Sequence, residues 1–239
     1  GKVAKLTHFI PEKPRKAAAA ALIRLTDPNR MKRSYWPPRK DGPVTGGDGI
    51  NLLGLFTAET GLAQGAKCYA EALELAGVPH RLLNTDFMTW APREDHRFDD
   101  RLAKTGEYNI NVIHVNPTEL DVATVSFPRK QFDNRYNIGV WLWELEKLPG
   151  KWVDMIPALD EIWTPSQFIA EAVRKETDKP VTVIPYGIRA PKADLGRKDF
   201  GLPEDAFLVL AMYDSNSYAA RKNPWGAIEA FRKAFGNDP

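Results

Sequence analysis

The stretch GINLLGLFTAETGLAQGAKCYAEALELAGV, residues 49–78, decides the fold. It opens on an apolar run of strand length, crosses a glycine-bearing turn and continues with helical spacing. So uniform a run suits a strand covered on both faces, which implies a parallel sheet between helices. From Leu62 to Ala76 the apolar stripe is Leu62, Ala66, Tyr69, Ala70 and Leu73, and Gly77 stands where such a helix would stop.

Outward from this stretch the alternation repeats. HRLLN (80–84), YNINVIHV (108–115), YNIGVWLW (136–143), DEIWTP (160–165) and VTVIP (181–185) read as further strands, with helical patterns in most of the gaps. The expected class is therefore α/β: a Rossmann-like parallel sheet with helices on both faces. One of the helices begins at TPSQF, with Thr164 as N-cap, Pro165 in the first position and Gln167 closing a capping box.

Beyond residue 188 the pattern changes. Residues 189–204 are charged and broken by Pro and Gly, as a linker would be. AFLVLAMY (206–213) reads as a new buried strand, DSNSYAARKNP (214–224) as a polar loop, and WGAIEAFRKAF (225–235) as an amphipathic helix. The expected organisation is a basic arm over 1–45, an α/β domain over 46–188, the linker over 189–204, and the first strand–helix unit of a second Rossmann-like domain over 205–239. One strand and one helix cannot close a core, so the rest of that second domain is an expected partner.

The chain has 239 residues, 43% of them hydrophobic, enough for a substantial core. No apolar run approaches the roughly 20 residues that cross a bilayer, and no secretory signal opens the sequence, so a cytoplasmic setting is the default expectation. Cys68 has no second cysteine to pair with, and His8, His80, His96 and His114 show no ligand spacing; no metal is expected. Residues 1–40 carry eleven Lys and Arg against two acids, +9, whereas the remainder has 22 against 29, −7. The arm combines a helical segment, RKAAAAALIRL (15–25), with SYWPPRK (34–40), and could touch an anionic membrane surface or a neighbouring domain; a linker or docking helix is the better-supported reading. Nucleic acid is not expected, given the acidic remainder.

Gly54, Gly61 and Gly65 do not spell the dinucleotide fingerprint G-x-G-x-x-G, which counts against a dehydrogenase. The N–H groups that open the helix still form a partial positive pole. Glu59 beside that pole repels phosphate yet accepts hydrogen bonds from hydroxyls, so Glu59, Thr60 and Gly61 are candidates to face a polyol. Alternatively, Glu59 satisfies free amides at the helix start. His114 and Asn116 fall at a strand end, where ligands of open α/β sheets collect, although a lone His is more often structural. Glu144 lies just past another strand, beside Trp141 and Trp143, which suit either a carbohydrate or ordinary core packing. Arg221 and Lys222 precede a helix and combine fixed charge with helix N–H groups, a setting for a diphosphate, or else are solvated surface cations. No catalytic-triad order, G-x-S-x-G elbow, Walker lysine or H-E-x-x-H occurs.

In order, GLFTAETGLAQGAK, INVIHVNPTEL, NIGVWLWELEKLPGKW, DEIWTPSQFIAEAVRK, KPVTVIPYGI and RKNPWGAIEAFRKAF resemble the group 1 glycosyltransferases, the retaining family 4 enzymes of GT-B architecture. The likeness runs from about residue 48 to 235; TPSQF and VIPYGI are its more specific parts. It implies two Rossmann-like domains, a saccharide or lipid-linked acceptor on the first, and a nucleotide-sugar donor mainly on the second, for polysaccharide or glycoconjugate synthesis. His114 then matches the histidine near the donor sugar. Arg221 and Lys222 match the basic residues that grip the diphosphate and stabilise its charge as it leaves, with Ser215 beside them. Glu59, Thr60, Gly61, Asn116, Glu144 and Tyr186 would line the substrate side. No metal or other cofactor is required. Peripheral attachment at the inner membrane face would fit a lipid-linked acceptor.

Two departures bear on this likeness. The family's paired glutamates, separated by seven residues in the C-terminal domain, have no place in this chain, so weak donor binding and poor or no turnover are expected of it alone. Tyr186 stands where many relatives have Asn. Two rival readings remain: a non-catalytic carbohydrate-binding or scaffold module, and a sugar-nucleotide epimerase of GT-B type.

Overall fold

The computed structural model describes residues 42–85, 92–118, 127, 129–189, 193–213 and 219–236. The expected helix at 15–25, SYWPPRK and Ser215 lie outside the described residues. The chain forms two compact units, Gly1–Arg189 and Ala190–Pro239.

In the first unit, β1 (Gly47–Gly54), α1 (Gly61–Leu75), β2 (His80–Asn84), β3 (Tyr108–Ile113), β4 (Tyr136–Val140), α2 (Gly150–Val153), β5 (Glu161–Thr164), α3 (Gln167–Arg174) and β6 (Val181–Val183) follow in order. All strand pairs are parallel, in a six-stranded sheet of order β2-β1-β3-β4-β5-β6. The fold is a Rossmann-like α/β sheet. All six strands expected from the sequence are present, though β1 begins at Gly47 and β3 and β4 stop at Ile113 and Val140.

Successive strand residues point to opposite faces, and both faces are apolar here. Leu52, Leu82, Val112 and Ile138 pack with Ala66, Tyr69 and Ala70 of α1 on one face. Leu53, Leu83, Ile113 and Ile162 pack with Trp152 of α2 and with Ile169 and Val173 of α3 on the other. This double burial is why the strands read as continuous apolar runs.

The uniformity is interrupted by a polar ladder. Asn51 is opposite Asn111, and Asn111 opposite Asn137, in the registers of β1, β3 and β4, and all three are fully buried. Asn51 Nδ2 donates to Asn111 Oδ1 (2.9 Å), and Asn111 Nδ2 donates to Asn137 Oδ1 (2.8 Å) and to the Gln131 carbonyl (2.7 Å). Gln131 Nε2 donates back to Asn111 Oδ1 (3.2 Å). Because each polar atom has a partner, the ladder avoids the penalty of an unpaired buried amide.

Helix α1 has well-defined ends. Thr60 Oγ1 accepts from the Ala63 N–H at 3.1 Å as N-cap. At the other end Gly77, with φ +64°, donates to the Glu74 carbonyl while Val78 donates to that of Leu73, a Schellman motif. Gly54 lets the helix lie close on the sheet: a Cβ there would stand 2.7 Å from the Ala66 Cβ. Gly54→Ala must push α1 off β1, and about 2 kcal/mol of stability should be lost, measurable by urea unfolding. An unchanged midpoint would show that the helix can yield freely.

The start of α3 differs from expectation. Ser166, not Thr164, is its N-cap, with Oγ accepting from Ile169 N–H, and the helix begins at Gln167. Thr164 is still the last residue of β5, and its hydroxyl donates to the Ser166 carbonyl, which leaves Pro165 in the turn. Gln167 instead reaches along the helix to Glu171.

The second unit contains α4 (Ala219–Lys222) and α5 (Pro224–Phe235). Asn223 caps α5 through Oδ1 to the Gly226 N–H at 3.1 Å. The run 206–213, expected as a buried strand, is neither strand nor buried. A strand exists by hydrogen-bonding to another, and no second strand lies among the described residues of this unit. The contacts of this run include Arg197 Nη1, which donates to the Ala206 carbonyl at 2.8 Å, and Phe207, which lies against Phe235 with centroids 5.8 Å apart, Phe235 packing in turn on Phe231.

Candidate functional site

The strand order fixes where a ligand can approach. From β1 the chain goes to β2 on one side and returns to β3 on the other, so the connections after β1 and β3 diverge. At such a switch point a crevice opens beyond the carboxyl ends of the strands. The segment 55–60 with the start of α1 forms one wall, and His114 to Asn116 the other.

On the first wall Thr60 is committed to capping, while Glu59 is exposed and is not the cap. Gly61, the first residue of α1, is exposed as well, with no atom within 4 Å of where a Cβ would stand. The wall is braced from behind. Lys67, 2% exposed, donates from Nζ to the Ala58 carbonyl (2.8 Å) and to Asp95 Oδ2 (2.6 Å). Asp95 N–H donates to the Thr57 carbonyl, and Glu59 N–H to that of Pro92. Arg97 grips Asp95 through Nε and Nη2. Those Arg97 hydrogen bonds hold the Asp95 carboxyl well below the usual carboxylate range; burial opposes the shift, and Lys67 adds to it. Lys67 was not foreseen, although a lysine beside Ala63 and Ala70 on an apolar helix face is itself a signal.

On the second wall His114 is fully buried. Its Nε2 lies 2.9 Å from Tyr186 Oη, and its ring packs on Tyr69 and Tyr186, centroids 5.4 and 5.8 Å away. Nδ1 has no hydrogen-bond partner among the described residues. Burial lowers the imidazole pKa to about 4, with a small opposing contribution from its own backbone, so the ring is neutral at pH 7. Burial likewise raises the Tyr69 phenol to about 12 and the Tyr186 phenol further, so both remain protonated. Tyr69 Oη donates to the Ile184 carbonyl at 3.1 Å. The three rings meet beneath Gly65, where a Cβ would stand 2.7 Å from Tyr186 Oη and 2.8 Å from His114 Cε1.

The other candidates are placed differently. Asn116 is occupied by protein: its Oδ1 accepts from the Leu142 N–H at 2.9 Å, tying the exits of β3 and β4. Glu144 is exposed on the segment after β4. Trp141 is buried and, like Trp143, packs against Trp152, so Trp141 belongs to the core. Arg221 and Lys222 end α4 in the second unit, both exposed. Of these candidates, His114 and Tyr186 meet beneath Gly65 of α1, while Glu59 and Gly61 are exposed at the start of that helix and Thr60 caps it. Among the described residues no group of His, Cys, Asp or Glu could hold a metal ion, and no helix is long and apolar enough to cross a membrane.

No protein-family model matches the chain. Comparison with the curated proteins gives no match either.

Proposed function

We propose that this chain is part of a retaining group 1 glycosyltransferase of GT-B architecture, with a saccharide or lipid-linked acceptor at the switch point of the first unit. In this reading Arg221 and Lys222, with Ser215, bind the diphosphate of the nucleotide-sugar donor, and His114 borders the transferred sugar. One observation carries the proposal: the helix that opens at the switch point presents Glu59 and an unobstructed Gly61, a hydroxyl-accepting rather than a phosphate-accepting mouth. Three further features support it. The order of motifs matches the family's, the sheet is Rossmann-like, and His114 lies at the carboxyl end of a central strand.

The chemistry follows from charge. A glycosidic bond to a diphosphate breaks more easily when cations stabilise the leaving oxygens, which is the role given to Arg221 and Lys222. The buried His114 imidazole is neutral at pH 7 and brings no charge of its own to this step.

Amide chemical-shift mapping on the ¹⁵N-labelled chain tests the acceptor site. Oligosaccharides are expected to shift Thr60 and Gly61, and Gly61→Trp should weaken that response at least tenfold. Shifts at the same amides caused by nucleoside diphosphate, with none from saccharide, would reverse the assignment of the two substrates.

A further inference from the structure

We infer that Lys67 is a positioning residue for the acceptor mouth: its buried ammonium holds segment 55–60, and with it Glu59 and the start of α1, against segment 92–97. That role depends on the mouth being a saccharide site, whereas the clasp is given by geometry alone.

Segment 92–101 runs beside α1. Lys67, Glu71 and Glu74 fall on one stripe of the helix and meet Asp95, Arg97 and Arg101 in order. Phe98, 3% exposed, anchors the segment against Phe56, ring centroids 5.8 Å apart. The three ion pairs are not equivalent. Arg97 with Glu71 (4.0 Å) and Arg101 with Glu74 (3.1 Å) are open to solvent, so each contributes little. Lys67 and Asp95 are shielded, their side chains 3% and 11% exposed.

The Lys67 ammonium bridges the two segments. It donates to the carbonyl of Ala58, a fully buried residue, and to the Asp95 carboxylate. Two backbone bonds flank this bridge, from Asp95 N–H to the Thr57 carbonyl (3.3 Å) and from Glu59 N–H to that of Pro92 (3.0 Å). So short a pairing is weak by itself. Without the ammonium the Ala58 carbonyl loses its partner, and the least costly relief is for residues 57–60 to move toward water. That movement displaces Glu59 and the capping residue Thr60, the groups a saccharide would meet. Holding them in place beforehand lowers the cost of binding.

Lys67→Met keeps the apolar stem and removes the ammonium, while Asp95 retains Arg97. Amide hydrogen exchange in the full chain reads the clasp without any ligand. The Glu59 and Asp95 amides should exchange at least about tenfold faster in Lys67→Met, the effect of one orphaned buried carbonyl. The His114 amide, bonded to the Leu53 carbonyl within the sheet, should change by less than about twofold. Arg97→Gln, which removes the solvent-exposed partner of Asp95, should alter Glu59 by less than about threefold. Native exchange at Glu59 in Lys67→Met, equal acceleration at His114, or an equal effect from Arg97→Gln would each overturn the inference. Maltotriose and cellotriose, titrated against the Thr60 and Gly61 chemical shifts, read the site. A response weakened about fivefold or more in Lys67→Met supports the positioning role. An unchanged response over a loosened clasp overturns it. If the native protein answers neither sugar, the acceptor reading falls and takes the positioning role with it, while exchange still shows whether Lys67 holds the two segments together.

Discussion

Asn111→Ala should lower the free energy of unfolding by about 4 kcal/mol, the largest loss expected of any single substitution in the sheet. Asn111 makes four hydrogen bonds, with Asn51, Asn137 and twice with Gln131, all in the buried interior. Truncation removes the donor to Asn137 Oδ1, the donor to the Gln131 carbonyl and the acceptor of Gln131 Nε2. Each orphaned buried group costs about 1–3 kcal/mol, whereas Asn51 Nδ2 retains the Tyr108 carbonyl. A cavity adds to the penalty. Urea unfolding followed by circular dichroism measures the difference. A loss below about 1 kcal/mol would mean that water or the remaining amides replace those bonds.

Mild acid should destabilise the fold through His114. His114 has an unfolded pKa of about 6.5 and a folded one of about 4. Above pH 6.5 the ring is neutral in both states and contributes nothing to the pH dependence. As the pH falls from 6.5 to 4, the unfolded chain takes up a proton that the folded chain refuses, and stability declines by on the order of 3 kcal/mol. Below pH 4 that contribution is complete. Asp95 acts next, because its lowered folded pKa gives stability that is lost as its carboxylate becomes protonated. Unfolding curves for the native protein and His114→Gln at pH 7 and pH 4.5 isolate the first step. It should be largely absent from the variant, and an equal decline in both proteins would assign the effect to other groups.

The sheet was legible because burial on both faces produces unbroken apolar runs whose positions local sequence reveals. Strand ends were less so: β4 ends at Val140, although the apolar pattern continues into the buried Trp141, whose N–H still donates to the Trp163 carbonyl of β5. The α3 cap depended on which of two neighbouring hydroxyls, Thr164 or Ser166, turned toward the helix, and only the folded turn decides that. The 206–213 run shows the limit of the same logic, since apolar character marks a strand only where a neighbour supplies hydrogen bonds. At the site, the strand-end position of His114 was readable from local pattern. Its contact with Tyr186 spans 72 residues and was not. Similarly, Asn51, Asn111 and Asn137 looked like isolated polar interruptions until pairing aligned them.

The two phenols have a mechanical consequence. Strand β6 is three residues long and lies at the sheet edge, so its ladder alone is a weak mooring for the chain that runs on toward Arg189. Tyr69 on Ile184 and His114 on Tyr186 add fastenings beyond the strand end. Tension arriving from residues downstream would thus be taken up first over the crevice, and a molecule that prised His114 loose would slacken the tether at its root.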